Sequence, residues 1–140
     1  SDLLKDLCGR LPYGVKCRFQ RDEYTYDGIL KGIEELVDNN GHLLEFVETM
    51  SGECCQFYLS NTKPYLYPLS SITEDEIDDL PLESSILDAF IDGRISLFED
   101  EELTVDEIIE MIDWFKKNHF DYRGLIEKGL AIDCTDLDIY

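Results

Sequence analysis

Positive charge is scarce in this chain. Twelve Lys and Arg stand against 32 Asp and Glu in 140 residues, a formal net charge of −20. The deficit is uneven. Residues 1–70 hold 7 bases and 11 acids, a net of −4, whereas residues 71–114 hold 16 acids and a single base, Arg94. Such a field repels the phosphate backbone of nucleic acid and anionic lipid, so direct nucleic-acid binding and membrane-surface binding are excluded as expectations. Long apolar runs are also lacking: none approaches the roughly 18 residues of a membrane span. The opening SDLLKDLCGRL has no basic region followed by an apolar stretch, so no secretory signal is expected. With 44% apolar and 11% aromatic residues the chain does have the means to build a core. Its length suits a single domain over 1–140, with a β-rich half over 1–72 and an acidic helical half over 73–140.

Chemistry-bearing patterns are few. There is no GxSxG, P-loop or HExxH motif, and Gly28-x-x-x-Gly32 has no Lys after it to serve as a phosphate cradle. The two histidines, His42 and His119, follow a turn glycine and end a helix; neither stands at ligand spacing with the other. The five cysteines, Cys8, Cys17, Cys54, Cys55 and Cys134, are odd in number and irregular in spacing. Free thiols of a reducing cytoplasm are expected rather than a disulfide framework. Zinc held by Cys54, Cys55 and a histidine is disfavoured, because adjacent side chains on a strand point apart. Asp133, Asp136 and Asp138 lack the glycine and terminal glutamate of a calcium loop. Tyr58, Tyr65 and Tyr67 could line an interaction surface, but half-buried strand tyrosines with wet hydroxyls are the plainer expectation. No catalytic, cofactor-binding or metal-ligating residue is nominated, and no cofactor is expected.

What is present is patterned secondary structure. TVDEIIEMIDWFKKNH, residues 104–119, is the strongest helix signal. Val105, Ile108, Ile109, Ile112 and Phe115 fall on one face, Thr104 and Glu107 have capping-box spacing, and Lys116 and Lys117 complement the helix dipole at its far end. This helix is expected to be the clamp of the fold, burying Ile109 and Phe115 against strands of the first 70 residues. Leu3, Leu4, Leu7 and Leu11 predict a short helix over Asp2 to Arg10, ended by Pro12-Tyr13-Gly14. VKCRFQ (15–20) alternates and reads as a strand with Val15, Cys17 and Phe19 inward. GILKGIEELV (28–37) is read as a strand because Gly28 and Gly32 weaken a helix. Turn residues 38–41 lead to HLLEFVET (42–49), and then to CCQFYLS (54–60) with Cys55, Phe57 and Leu59 on one side. Asn61 to Pro64 should break that strand, and YLYPL (65–69) should form a last one at an edge, or near its end, because of Pro68. Beyond it, Thr73 and Glu76 have capping-box spacing, Ser84-Ser85 opens a further short helical segment, and RISLF (94–98) suits a strand or an extended link. YRGLIEKGLAID (122–133) suits one helical turn between Gly124 and Gly129, with Leu125, Ile126, Leu130 and Ile132 pinned to the body. The tail 134–140 is expected to be mobile unless Leu137 and Ile139 dock.

The expected class is therefore α+β: a short N-terminal helix, a small bent five-stranded antiparallel sheet or barrel of SH3-like or Sm-like order, and a C-terminal amphipathic helix packed on it. Three stretches, LLKDLCGRLPYGV (3–15), KPYLYPLSSIT (63–73) and NHFDYRGLIEKGLAIDCTDLDIY (118–140), resemble a family of small uncharacterised proteins encoded by phages and mobile elements of gut Bacteroidales. That resemblance implies an intracellular accessory protein of phage or prophage origin and brings no assigned activity with it. The function expected is that of a non-enzymatic cytoplasmic interaction protein whose partner is a protein, of basic charge. Two alternatives stand beside it: an acidic inhibitor that mimics DNA toward a host DNA-binding or defence protein, and a small-ligand binder or enzyme built on a carboxylate site.

Overall fold

The computed structural model describes residues 2–36, 41–73, 75–76 and 105–140, and among these it has seven strands and two α-helices of two turns or more. Helix α1 spans Asp2–Arg10 and is followed by a 3₁₀ turn at Leu11–Tyr13. Strands β1 (Lys16–Arg21), β2 (Tyr24–Leu36), β3 (Gly41–Glu48) and β4 (Cys54–Tyr58) form an antiparallel meander. A 3₁₀ turn at Leu59–Asn61 leads into β5 (Thr62–Pro68), which returns to pair antiparallel with β1. Helix α2 covers Val105–Lys117, and the two-residue strands β6 (Phe120–Asp121) and β7 (Ile132–Asp133) both add to β5 in parallel. The strand order is β4-β3-β2-β1-β5-β6, with β7 also on β5.

The α+β class and the meander stand as the sequence leads one to expect, with three corrections. Among the described residues the sheet has seven strands rather than five and is mixed rather than purely antiparallel. The break after β4 comes earlier than Asn61 to Pro64: it is the 3₁₀ turn Leu59–Asn61, β5 begins at Thr62, and Pro64 lies within it opposite Cys17. Nor is β5 an edge strand: Tyr67 donates its amide to the His119 carbonyl while the Leu66 carbonyl accepts from the Cys134 amide, so β6 and β7 lie along opposite edges of it, and Pro68 sits at its end. The sheet is an open path, and no ladder joins β4 to β5 among the described residues. It is nonetheless strongly curled, because Phe19 of β1 lies 4.1 Å from Phe57 of β4 and 4.4 Å from Phe46 of β3, centroid to centroid.

That curl depends on Gly28. A Cβ there would meet the Val47 carbonyl oxygen at 2.7 Å and the Phe19 ring at 3.1 Å. The glycine lets β2 and β3 close over the aromatic stack, and its role is close approach rather than turn formation. A register shift between Leu30 and Gly32 adds to the bend.

The main core lies between α1, the curled sheet and the segment after β6. Leu7, Val15, Cys17, Phe19, Leu44 and Leu66 are fully buried in it, together with Leu125 from the C-terminal segment. A second cluster forms where α2 meets β6: Met111, Phe115 and Phe120 are buried, and Trp114 stacks on Phe120 at 5.4 Å. The expected clamp face is thus rotated. Phe115 is buried as anticipated, but Ile109 is 52% exposed and Val105 71% exposed; Ile108, Met111, Ile112 and Phe115 are the residues that turn inward. Their partners are Tyr67, Leu69, Ile72, Phe120 and Tyr122, so α2 closes a satellite core at the end of β5 and does not organise the sheet.

Joining the two cores is a buried ion pair that the sequence pattern does not announce. Arg10 and Asp6 have no exposed surface, and Arg10 Nε donates to Asp6 Oδ2 at 2.6 Å. A second guanidinium nitrogen of Arg10 donates to the Phe120 carbonyl at 2.5 Å, tying α1 to β6. Arg123 approaches Asp6 Oδ1 from the other side at 3.4 Å. Downstream, buried Asp121 accepts from the Leu125 and Ile126 amides at 2.9 Å each, which caps the turn expected at 122–133. The capping box of Thr73 and Glu76 is also made: Glu76 Oε1 accepts from the Thr73 amide and hydroxyl, and the Glu76 amide donates to Thr73 Oγ1. The Thr104 cap, the turn at 38–40, the segment after Ser84 and the RISLF stretch lie outside the described residues.

Candidate functional site

Two residues past the end of α2 stands His119, whose φ of +64° puts a non-glycine residue in the left-handed region. That turn aims the imidazole at Tyr140. The two rings stack at 3.6 Å between centroids and 8° between planes. The Tyr140 hydroxyl accepts from the Lys16 amide at 2.8 Å and donates to the Tyr65 carbonyl at 2.9 Å, while Lys16 Nζ donates to the Ile139 carbonyl at 2.6 Å. The tail is therefore docked, through Tyr140 and the Ile139 backbone; Leu137, one of the two residues expected to dock it, is 43% exposed. Burial, reinforced by the charges of Arg10 and Lys16, pushes the His119 pKa down to about 4, so the ring is neutral at pH 7. Its Nδ1 is buried with no hydrogen-bond partner among the described residues. Beside the stack lies a polar depression of about 510 Å³ lined by Tyr67, Glu76, Lys117, Asn118 and Thr135 among others. Most of its polar groups are already committed: Glu76 to Thr73, Asn118 to the Trp114 carbonyl and Thr135 to Asp133. The arrangement is a latch for the tail more than a seat for a reactant.

At the opposite side of β5 is a groove of about 690 Å³ between the start of α1, the β3–β4 end of the sheet and Leu130. Its floor is apolar, made by Leu3, Leu4, Leu59, Leu130 and the ring of Tyr58, which is 54% exposed. Asp2, His42, Ser60 and Lys63 stand around it. Asp2 is neutralised by Lys128 at 3.0 Å, which lowers its pKa.

The third feature is the outer stripe of α2. Val105, Asp106, Ile109, Glu110, Asp113 and Lys117 are all exposed and follow the i, i+4, i+8 rows of one helical face. Two apolar side chains thus sit among three carboxylates.

Other residues singled out in the sequence do not converge. Tyr65 is buried, with its hydroxyl donating to Asp27 Oδ1 at 2.5 Å; burial and that carboxylate push its pKa up to about 12. Tyr67 packs against Phe120 and Tyr140, and Tyr58 opens on the groove, so the three tyrosines form no common surface. Asp133 accepts from the Thr135 amide and hydroxyl and so shapes a local turn. Among the described residues no three His, Cys, Asp or Glu gather as metal ligands. Cys54 is exposed and Cys55 half-buried on opposite faces of β4. Sequence reasoning missed the groove, the His119–Tyr140 stack and the Arg10–Asp6 pair; only the tyrosine and lysine content of the segments involved hinted at any of them. Among the described residues no helix is long and apolar enough to cross a membrane. No family model, curated protein or solved structure matches this chain.

Proposed function

We propose that this chain is a non-enzymatic, intracellular interaction protein that engages a basic protein partner through the outer face of α2. The observation that carries this reading is the exposed stripe in which Val105 and Ile109 alternate with Asp106, Glu110 and Asp113. Carboxylates set around apolar side chains suit a partner offering lysine or arginine around an apolar patch, since charge steers the encounter and apolar contact holds it. The acidity of residues 71–114 extends the same sign of field beyond the helix. A DNA-mimicking inhibitor is the second reading, and the charge alone favours it. The two exposed apolar residues favour a protein surface over a substitute for a phosphate row.

Affinity capture from the producing cell tests the proposal when the wild type is run beside two variants. One carries Val105→Ser with Ile109→Ser; the other carries Asp106→Asn, Glu110→Gln and Asp113→Asn. A protein retained by the wild type, released by moderate salt and lost from both variants supports the reading. The same proteins retained by all three would refute it. The phage or mobile-element setting rests on the resemblance of 3–15, 63–73 and 118–140; the DNA flanking the gene tests it, since chromosomal housekeeping neighbours would remove that setting.

A further inference from the structure

The groove beside α1 has a composition unlike the rest of this acidic molecule. Its floor is leucine and tyrosine, and among the described residues the one carboxylate on its wall, Asp2, is already held by Lys128. Lys63 and His42 have no side-chain partner among the described residues, and Lys63 is exposed. The neighbouring base across the ladder, Arg18, is paired with Asp27 at 3.7 Å. An uncommitted ammonium and an imidazole thus stand over an apolar trough of a volume typical of small-molecule sites. We infer that this groove binds a small organic anion with an apolar body, a medium-chain carboxylate being the simplest form. The chain lies along Leu3, Leu59, Leu130 and the Tyr58 ring, and the carboxylate meets Lys63 with His42 beside it. Such a ligand satisfies both halves of the site: apolar area leaves water, and the Lys63 ammonium, unpaired among the described residues, gains a counter-ion. A neutral apolar ligand would use only the floor, and a cation would meet Lys63 unfavourably. The inference is independent of the role proposed for α2, which lies on a different part of the surface.

Decanoate and decanol, titrated separately and followed by the amide resonances of Leu59, Leu130 and Lys63, provide the test. Saturable binding of decanoate about five- to tenfold tighter than decanol is expected, the margin of a partly exposed charge-assisted contact. Lys63→Met, at an exposed position, should abolish that preference while leaving decanol binding unchanged. Leu59→Asp should weaken both ligands. Absence of saturable shifts with decanoate would overturn the proposal, as would a preference for decanoate that survives Lys63→Met. A concentration-dependent dimer that Leu59→Asp dissolves, with no binding of decanoate, would overturn it in favour of a second copy of the chain as the occupant.

Discussion

Arg10 and Asp6, one turn apart on α1, form an ion pair from which solvent is wholly excluded. Both charges were taken out of water to make it, and what offsets that cost is the set of further contacts: Arg10 to the Phe120 carbonyl, Arg123 near Asp6 Oδ1, and the Arg10 guanidinium 5.4 Å from the Tyr122 ring centre. Removing Asp6 leaves Arg10 buried without a carboxylate, and removing Arg10 leaves buried Asp6 with only the longer approach of Arg123 at 3.4 Å. Arg10→Met and Asp6→Asn are each expected to destabilise by about 3–5 kcal/mol. Replacing both, as Asp6→Leu with Arg10→Met, should cost much less than the sum of the singles. A double-mutant cycle in urea measures this, and additive losses would show that the pair is not a unit.

His119 gives the protein a pH dependence of known sign. Its folded pKa of about 4 lies below the ordinary 6.5. Between those values the unfolded chain binds the proton more strongly than the folded one. The stability contributed by the neutral ring is therefore complete above about pH 6.5 and is lost as pH falls toward 4. With allowance for solvent reaching the half-buried ring, that loss is about 1–2 kcal/mol. His119→Asn keeps a residue that tolerates positive φ and removes the titration. The difference in unfolding free energy between wild type and variant should narrow steadily from pH 7 to pH 4; a constant difference would mean the ring titrates normally.

On α2, two substitutions separate the buried from the exposed face. Phe115→Ala should cost about 3–5 kcal/mol through lost burial and a cavity beside Phe120. Ile109→Ala should stay within about 0.5 kcal/mol, as at an ordinary surface position. Comparable losses at both sites, in chemical denaturation, would place Ile109 in the core after all.

Thiol reactivity should follow burial. Cys8 and Cys54 are exposed, Cys55 is half-buried with its pKa raised by burial, and Cys17 and Cys134 are buried, the latter pushed up to about 11. A disulfide-exchange reagent at pH 8 should titrate Cys8 and Cys54 quickly and Cys55 slowly, reaching Cys17 and Cys134 only on unfolding. Rapid modification of all five in the native protein would contradict the packing around β1 and β5.

Much of the meander was legible because alternation is a local signal. Val15, Cys17 and Phe19 are all buried, and Phe57 faces in while Tyr58 faces out. Parallel additions were not legible: a two-residue strand such as Phe120–Asp121 carries no periodicity, and its pairing with Tyr67 and Pro68 is set by tertiary packing. The α2 face was misassigned because Ile109 and Met111 are both apolar, and the choice between them depends on where Phe120 and Tyr67 stand. Arg10 was invisible for a different reason. A charged residue ending a short helix normally reaches solvent, and only the placement of Phe120 and Arg123 around it makes burial tolerable. The groove draws its walls from α1, β3, β4, β5 and Leu130, and no single stretch of sequence contains enough of it to be recognised.

Because β5 takes two of its partner strands, β6 and β7, from residues that the ribosome delivers only after the whole acidic stretch, the sheet cannot be finished in the order in which it is made. The meander from β1 to β5 emerges first and must wait with the backbone amides and carbonyls at Tyr65 to Pro68 unpaired until β6 and β7 arrive. An exposed strand rich in tyrosine is a template for pairing with another nascent chain. The strong negative charge of the intervening residues keeps neighbouring chains apart during that interval. Acidity between β5 and β6 in the sequence and late closure of the sheet are then two parts of one folding problem, in which electrostatic repulsion between molecules guards β5 until its own partner strands are synthesised.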